Sequence, residues 1–409
     1  MTLGRAGMKQ PSLGGMADAL KATLSRQALH QRFTKAAVAF VQGCFERMLH
    51  RLSVAAVVCT PLLQFFRRVL ILDSSSWDVA PALRHLLPGS GGNASAANCK
   101  LQVCLDYLTG LLCFVQSMAG TRPDNTSIDP VLEMLQPHDL LLFDLGYFRL
   151  KTFRRIADLG AFFLSRLCAQ VTLCDAGTGE PIDLCLLLRT TCGNVCCRQV
   201  ILGPADGTQL TCRLICLRVA PHIAEQRRRT MKRNAVKKGH TCSQRHLMLA
   251  EWTQLITNVP EVWWPVDALW HLYSLRWQIE LLFKRLKSTL AIHHTNTANI
   301  HRLHCQLYGT LILAALMQHL YATLNNDLWN ERKEQLSPDK LFKRLQERAF
   351  MLAQLLTTSP VTGLRYLRLS IQHILPNCIK RRQRSRLSSL QTIHQLSATT
   401  TNRALPSLT

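Results

Sequence analysis

Three observations predict an α/β fold built on a mixed sheet with helices on its faces. Two short apolar runs each close on an acid, Arg68-Val-Leu-Ile-Leu-Asp73 and Asp139-Leu-Leu-Leu-Phe-Asp144, as expected of buried strands. Between them, Lys100–Asp106 and Leu111–Met118 read as two strands joined by a short turn ending in Leu-Thr-Gly110, which is a hairpin signal. Helical and extended patterns then alternate, with Pro130–Gln136 and Lys151–Leu159 as helices and Ala161–Cys168 as a strand. The order strand, hairpin, helix, strand, helix, strand suits a mixed sheet. Asp73 and Asp144 terminate separate strands of that sheet, and ligand sites in open α/β sheets form beyond strand ends.

The rest of the chain divides around this core. Residues 1–64 read as a helical N-terminal region, with Gln31–Leu49 apolar at helical spacing. Pro88–Asn98 is a loop rich in Gly, Ser, Asn and Ala. Residues 65–168 form the first part of the core. Residues 169–250 read as a β-rich insertion, because β-branched residues, Leu and Cys alternate with turn signals such as Gly177-Thr-Gly179. Residues 251–325 return to the core and carry the segment described below. Leu303–Leu324 reads as a long helix, residues 326–379 are helical with Asp339–Leu356 as another, and residues 380–409 read as a basic, disordered tail.

Charge is the strongest global signal. The chain has 49 Lys and Arg against 25 Asp and Glu, a formal net charge of +24. Such a surface repels itself unless a polyanion neutralises it, which points to nucleic acid or an anionic membrane. A membrane is the poorer fit, since the apolar stretch around Leu311–Met317 is short and closely bounded by polar residues. Met1–Lys21 lacks the pattern of a signal peptide. The 16 cysteines follow no regular framework and are expected as reduced thiols of a cytoplasmic protein. Cys192, Cys196 and Cys197 lack zinc-knuckle spacing and are expected as small strand residues. The densest basic run, Arg227–Lys238, offers Lys232, Arg233, Lys237 and Lys238 to a DNA backbone without reading sequence; the bland alternative is a solvated helix.

The most informative stretch is Tyr273-Ser-Leu-Arg276-Trp-Gln-Ile-Glu280-Leu-Leu-Phe-Lys-Arg-Leu-Lys287. On one continuous helix, Tyr273, Arg276, Glu280 and Lys287 fall within an arc of roughly 60°. A carboxylate flanked by cations suits a site that handles a metal ion and phosphates together. A solvated Arg276–Glu280 pair is the competing reading, and spacing alone does not decide between them.

The pattern Y-x2-R-x3-E-x6-K, preceded by Leu-Asp73-Ser-Ser and by Asp144-Leu-Gly146-Tyr147-Phe, resembles the DDE transposases of bacterial insertion sequences, type four. The resemblance covers roughly residues 65–325. It implies an RNase H-like catalytic core with a β-rich insertion between the second Asp and the Glu. It further implies that Asp73, Asp144 and Glu280 are catalytic and hold two Mg²⁺ ions, with Mn²⁺ as a substitute. Hard oxygen ligands suit such ions, and a metal pair can serve both the attacking and the leaving oxygen of an in-line displacement. Asp78 is a rival to Asp73 as the first ligand. Tyr273, Arg276 and Lys287 would grip phosphates near the scissile bond. Trp252, 21 residues before Tyr273, would stack on a base flipped during hairpin formation, with Trp263 and Trp264 as competitors.

The activity so implied is cut-and-paste DNA transposition on terminal inverted repeats and target DNA, by a homodimer that pairs two element ends. The bacterial cytoplasm and nucleoid would be its setting, and residues 1–64 are candidates for recognising DNA ends. Two other readings compete: a two-metal nuclease without strand transfer, and a catalytically silent DNA-binding relic.

Overall fold

The computed structural model describes residues 13, 25–53, 60–91, 95–168, 170–203, 209–237, 239–295 and 297–380. Lys238, the Gly203–Gly207 turn after Gly203 and the tail from residue 381 lie outside them. The described residues form two compact units, interleaved along the chain. One draws on Met1–Cys59, Asp73–Arg122 and Trp277–Arg386, the other on Thr60–Leu72 and Pro123–Arg276. Strand β1 (Arg68–Asp78) contributes its first half to the second unit and its second half to the first.

In the second unit, β1 pairs in parallel with β4 (Asp139–Phe143), and β4 in parallel with β5 (Phe162–Arg166). Their burial explains the continuous apolar runs: every residue of β4 is buried, as are Val69–Leu72. Asp139 is the exception in composition, and it is neutralised in place. Its carboxylate accepts from Arg67 Nη2 at 2.7 Å, Arg68 Nη2 at 2.6 Å and the Gln136 backbone N–H at 2.9 Å. Strand β9 (Trp252–Thr257) joins β5 antiparallel, and β8 (Leu210–Arg218), β7 (Val195–Leu202) and β6 (Leu173–Asp175) follow, all antiparallel. The β-rich stretch after residue 169 thus prolongs this sheet through β9, and it carries helices as well. Parallel and antiparallel pairs in one sheet, flanked by helices, are the mixed α/β class that the sequence predicts for an RNase H-like core.

An aromatic core backs the parallel strands. Phe143 stacks on Phe153 at 5.4 Å between ring centroids, and Phe153 meets Phe163 at 4.7 Å. In chain order α1 (Arg26–Gln31), α2 (Lys35–Arg51) and α3 (Asp129–Glu133) precede α4 (Leu150–Asp158), the helix that supplies Phe153. Helix α4 buries Thr152, Phe153 and Ile156 as one amphipathic stripe. The insertion adds α5 (Leu184–Thr190), α6 (Pro221–Lys237) and α7 (Gln244–Leu249).

The first unit holds the hairpin expected from the sequence. Strands β2 (Asn98–Asp106) and β3 (Leu112–Ala119) pair antiparallel from Cys99↔Ala119 to Leu105↔Leu112, and β2 neighbours β1. The strand through Asp73 is longer than its apolar run: β1 continues through Ser74-Ser75-Ser76 to Trp77 and Asp78. Three small hydroxyl residues hide the period-2 signal there, while pairing with β2 keeps the backbone extended. Asp73 therefore closes the buried run without ending the strand.

Helices complete this unit. Helix α8 (Val266–Ser274) belongs to the second unit, and α9 (Trp277–Ser288) opens the return to the first. The segment from Tyr273 to Lys287 is thus not one helix. At the junction, Leu275 and Arg276 donate to Leu272 and Tyr273, i→i−3 bonds that tighten the turn and shift the helical phase. Leu272, Tyr273 and Leu275 are all buried, a demand that one straight helical face does not meet.

Helix α10 (Ile300–Arg332) packs on α2, where Phe45 and Tyr308 approach to 6.1 Å. By length and composition α10 could cross a membrane, yet half of its most apolar window is buried within the fold. Helices α11 (Pro338–Thr358) and α12 (Pro360–Cys378) form a hairpin. A Cβ at Gly363 would lie 2.9 Å from the Leu356 backbone nitrogen, so this close approach requires glycine.

Candidate active site

The register of β1 and β4 organises the acids. The last pair in the ladder is Leu72↔Phe143, and each partner is followed in the chain by an aspartate, Asp73 and Asp144. After Asp144 the backbone enters a 3₁₀ turn, Leu145–Tyr147, with the Tyr147 N–H donating to the Asp144 carbonyl at 3.1 Å. The turn leaves the Asp144 side chain half-buried at the strand end.

Tyr273 reaches this carboxylate from α8. It is only 7% exposed, and its hydroxyl donates to Asp144 Oδ1 at 3.1 Å. Burial pushes the phenol pKa well above its ordinary value, and the Asp144 charge adds to the effect, while Arg276 and Arg166 oppose it. Tyr273 therefore stays protonated and acts as a donor.

Arg166, at the end of β5, and Arg227, on α6, border a cavity of about 670 Å³ together with Leu145, Gln226, Met231 and Trp252. Trp252 opens β9 and is 1% exposed; the Arg218 guanidinium covers its ring at 4.6 Å from the centroid. Arg227 is held by the start of β9, donating to the Trp252 carbonyl at 3.2 Å and to Thr253 Oγ1 at 3.0 Å. Trp263 and Trp264 serve the core instead: Trp263 stacks on Phe65 at 4.7 Å, and the Trp264 indole donates to the Leu62 carbonyl at 2.7 Å.

The basic run divides in two. Arg227 and Arg228 turn inward, the latter to Glu251 and to the Leu247 carbonyl. Lys232, Arg233 and Lys237 are exposed on α6.

In the first unit, Glu280 sits half-buried in the first turn of α9, and Asp73 is half-buried in β1 with Ser74 N–H donating to its Oδ1 at 2.8 Å. Lys287 bridges the same two elements, its Nζ donating to the Ser76 carbonyl at 2.9 Å. Burial holds the Lys287 amine below its ordinary pKa. Asp78, the rival ligand, accepts from Asn98 Nδ2 at 3.0 Å. The three cysteines Cys192, Cys196 and Cys197 do not behave alike: Cys196 and Cys197 lie in β7, whereas Cys192 is exposed ahead of it.

Among the described residues, no three His, Cys, Asp or Glu side chains are gathered as a metal-ligand set. What suits a divalent ion is the donor chemistry of Asp73, Asp144 and Glu280, hard carboxylate oxygens on or directly after neighbouring strands and on one helix. Sequence reasoning missed Arg166 and Arg227. Arg166 closes an apolar strand much as Asp144 does, and that placement is the one signal that could have found it.

An α/β sheet with one acid inside β1 and another directly after β4, the latter served by a tyrosine, is suited to phosphodiester chemistry. Residues 64–317 match the family described as the transposase DDE domain, and the chain belongs to that family. It is accordingly a DDE transposase, an enzyme of DNA transposition, and a domain of this kind works with divalent metal ions. Among similar proteins is the transposase for insertion sequence element IS231F of Bacillus thuringiensis subsp. israelensis, 29% identical over 81% of this chain and 73% of that protein. The transposase for IS231C of Bacillus thuringiensis subsp. berliner is 30% identical over the same shares. The transposase for IS1151 of Clostridium perfringens is 28% identical over 79% of this chain and 72% of its own length. A solved piggyBac transposase synaptic complex with hairpin DNA matches 95% of this chain and 76% of its own at a TM-score of 0.45 and 11% identity. The resemblance to transposases of insertion sequences is thereby borne out.

Proposed function

We propose that this chain is a cut-and-paste transposase that frees the ends of its own DNA element through hairpin intermediates and joins them to target DNA. The hydrogen bond from Tyr273 to Asp144 carries this reading, because it couples the Y-x2-R-x3-E-x6-K signature to the second aspartate from 129 positions away. Asp73, Asp144 and Glu280 would hold two Mg²⁺ ions, with Mn²⁺ able to substitute. When bound, such ions activate the attacking oxygen and offset charge on the leaving one.

The protein's own groups position the strands. Tyr273 orients the Asp144 carboxylate, while Arg276 and Lys287 grip phosphates beside the scissile bond. The cavity beside Trp252 accepts a base displaced from the duplex, and Arg166 and Arg227 neutralise the phosphate that travels with it. Lys232, Arg233, Lys237 and Lys238 track the backbone of the same DNA. A homodimer pairs two element ends, in the bacterial cytoplasm and on the nucleoid.

The test incubates purified protein with linear DNA carrying its element's ends in Mg²⁺ and resolves products on denaturing gels. Hairpinned ends that vanish in Glu280→Ala, with DNA binding retained, are the expected result. Nicks without hairpins or strand transfer would make it a two-metal nuclease. Binding without any cleavage, in Mg²⁺ and in Mn²⁺, would leave the DNA-binding relic.

A further inference from the structure

No Asp or Glu occurs between Glu280 and Asp327, although this stretch carries Lys284, Lys287, His293, His294, Arg302 and further basic residues. The fold concentrates several of them. At the end of α9 the chain doubles back: Thr289 and Leu290 N–H both reach the Arg285 carbonyl, and Ile292 N–H reaches the Leu286 carbonyl at 3.0 Å, with Ala291 at φ +49°. Ile292 is buried by this turn, so its neighbour His293 stands beside Lys287, the neighbour of Leu286. The His293 and His294 rings form an edge-on pair with centroids 4.0 Å apart, and His294 is exposed. Lys287 is anchored on β1 through Ser76.

Two polar atoms of this connection, His293 Nδ1 and Thr295 Oγ1, together with Arg302 Nε in the first turn of α10, are buried and have no hydrogen-bond partner among the described residues. Thr295 is 7% exposed, so bulk water does not satisfy it. The electrostatic neighbours of His293 are His294 and Lys287, both basic. Such a cluster is short of negative charge, and unsatisfied donors beside uncompensated cations are what an anion completes.

We propose that the α9–α10 connection binds a DNA backbone phosphate through His293, His294 and Thr295, alongside Lys287. The proposal rests on the DNA-transposase reading and extends it to residues outside the Y-x2-R-x3-E-x6-K signature. Each histidine offers a ring N–H donor to the seated phosphate.

The test measures equilibrium binding of the full chain to linear duplex DNA carrying its element's ends, across about 50–200 mM salt. The double variant His293→Gln/His294→Ala is compared with wild type. It is expected to bind several-fold more weakly, with a plot of log affinity against log salt shallower by about 0.9 for each phosphate that the variant no longer neutralises. Thr295→Val, an uncharged change, should weaken binding with the slope preserved. Unchanged affinity and slope in a double variant that melts with wild type would overturn the proposal. If that variant is silent while Lys232→Ala/Arg233→Ala flattens the slope, this site alone fails. A wild-type chain with no salt-sensitive DNA binding would instead overturn the transposase reading.

Discussion

Tyr273 donates its phenolic hydrogen to Asp144 at 3.1 Å, so a residue on α8 fixes the carboxylate that follows β4. The phenol is buried, and its raised pKa keeps the hydrogen in place across the working pH range. Tyr273→Phe keeps the ring and removes the donor. A hydrogen bond to a charged acceptor contributes about 1.5–3 kcal/mol. Strand cleavage should therefore slow by roughly 10- to 100-fold, with the melting temperature lowered by only a few degrees. Single-turnover cleavage of element-end DNA, read beside a thermal melt, checks both halves.

Asp139 has no exposed surface and is held by Arg67, Arg68 and the Gln136 N–H. Asp139→Asn leaves two guanidinium groups without their counter-charge beneath the parallel strands. Arg67 is 40% and Arg68 21% exposed, so water screens the orphaned charges and the cost falls to about 1–3 kcal/mol, below that of a fully buried pair. Urea unfolding should show a lowered midpoint with an unchanged slope.

Arg213 is 2% exposed on β8, and its Nη1 donates to the Val259 carbonyl at 3.3 Å and the Trp264 carbonyl at 3.1 Å. It thus clamps both ends of the turn that leads into α8, the helix bearing Tyr273. Lysine carries its charge as one compact ammonium and does not reproduce the planar guanidinium's position beside the two carbonyls. Arg213→Lys should destabilise the chain by about 2–3 kcal/mol, measurable by the same urea titration. Cleavage should fall further than folding alone explains at temperatures where the variant remains folded.

His304 on α10 has its pKa held below the ordinary imidazole value, chiefly by burial and then by His301. The unfolded chain therefore takes up its proton at a higher pH than the folded one. Above the ordinary value of 6.5 both states are neutral and the full stability is present. As pH falls from there towards the folded pKa, stability declines, with a slope of at most about 1.4 kcal/mol per pH unit for this one proton. Unfolding midpoints between pH 7.5 and about pH 5 should show that decline, and His304→Gln should flatten it.

The strands around the acids were legible because burial on both faces writes itself as an unbroken apolar run, as in Leu140–Phe143. The hairpin Asn98–Ala119 was equally plain from its turn. Two features were not. The serines after Asp73 hide five more residues of β1, since pairing with a neighbour strand, not side-chain character, keeps that segment extended. The break at Leu275–Arg276 was hidden because Tyr273 and Leu275 are both buried through a phase shift that no helical periodicity encodes. Arg166 and Arg227 carried no motif, and only the cavity between α6 and β9 gives their positions meaning.

The interleaving of the two units has a genetic corollary. The chain passes from one to the other between Leu72 and Asp73, between Arg122 and Pro123, and again between Arg276 and Trp277. No contiguous piece of the gene therefore encodes either unit by itself. A premature stop before codon 277 deletes α9 to α12 and strands α2 and the hairpin without their packing partners. A copy cut at that boundary keeps Thr60–Leu72 and Pro123–Arg276 of the second unit and loses α9 to α12, so decay by truncation removes Glu280 and Lys287 while sparing Asp144 and Tyr273.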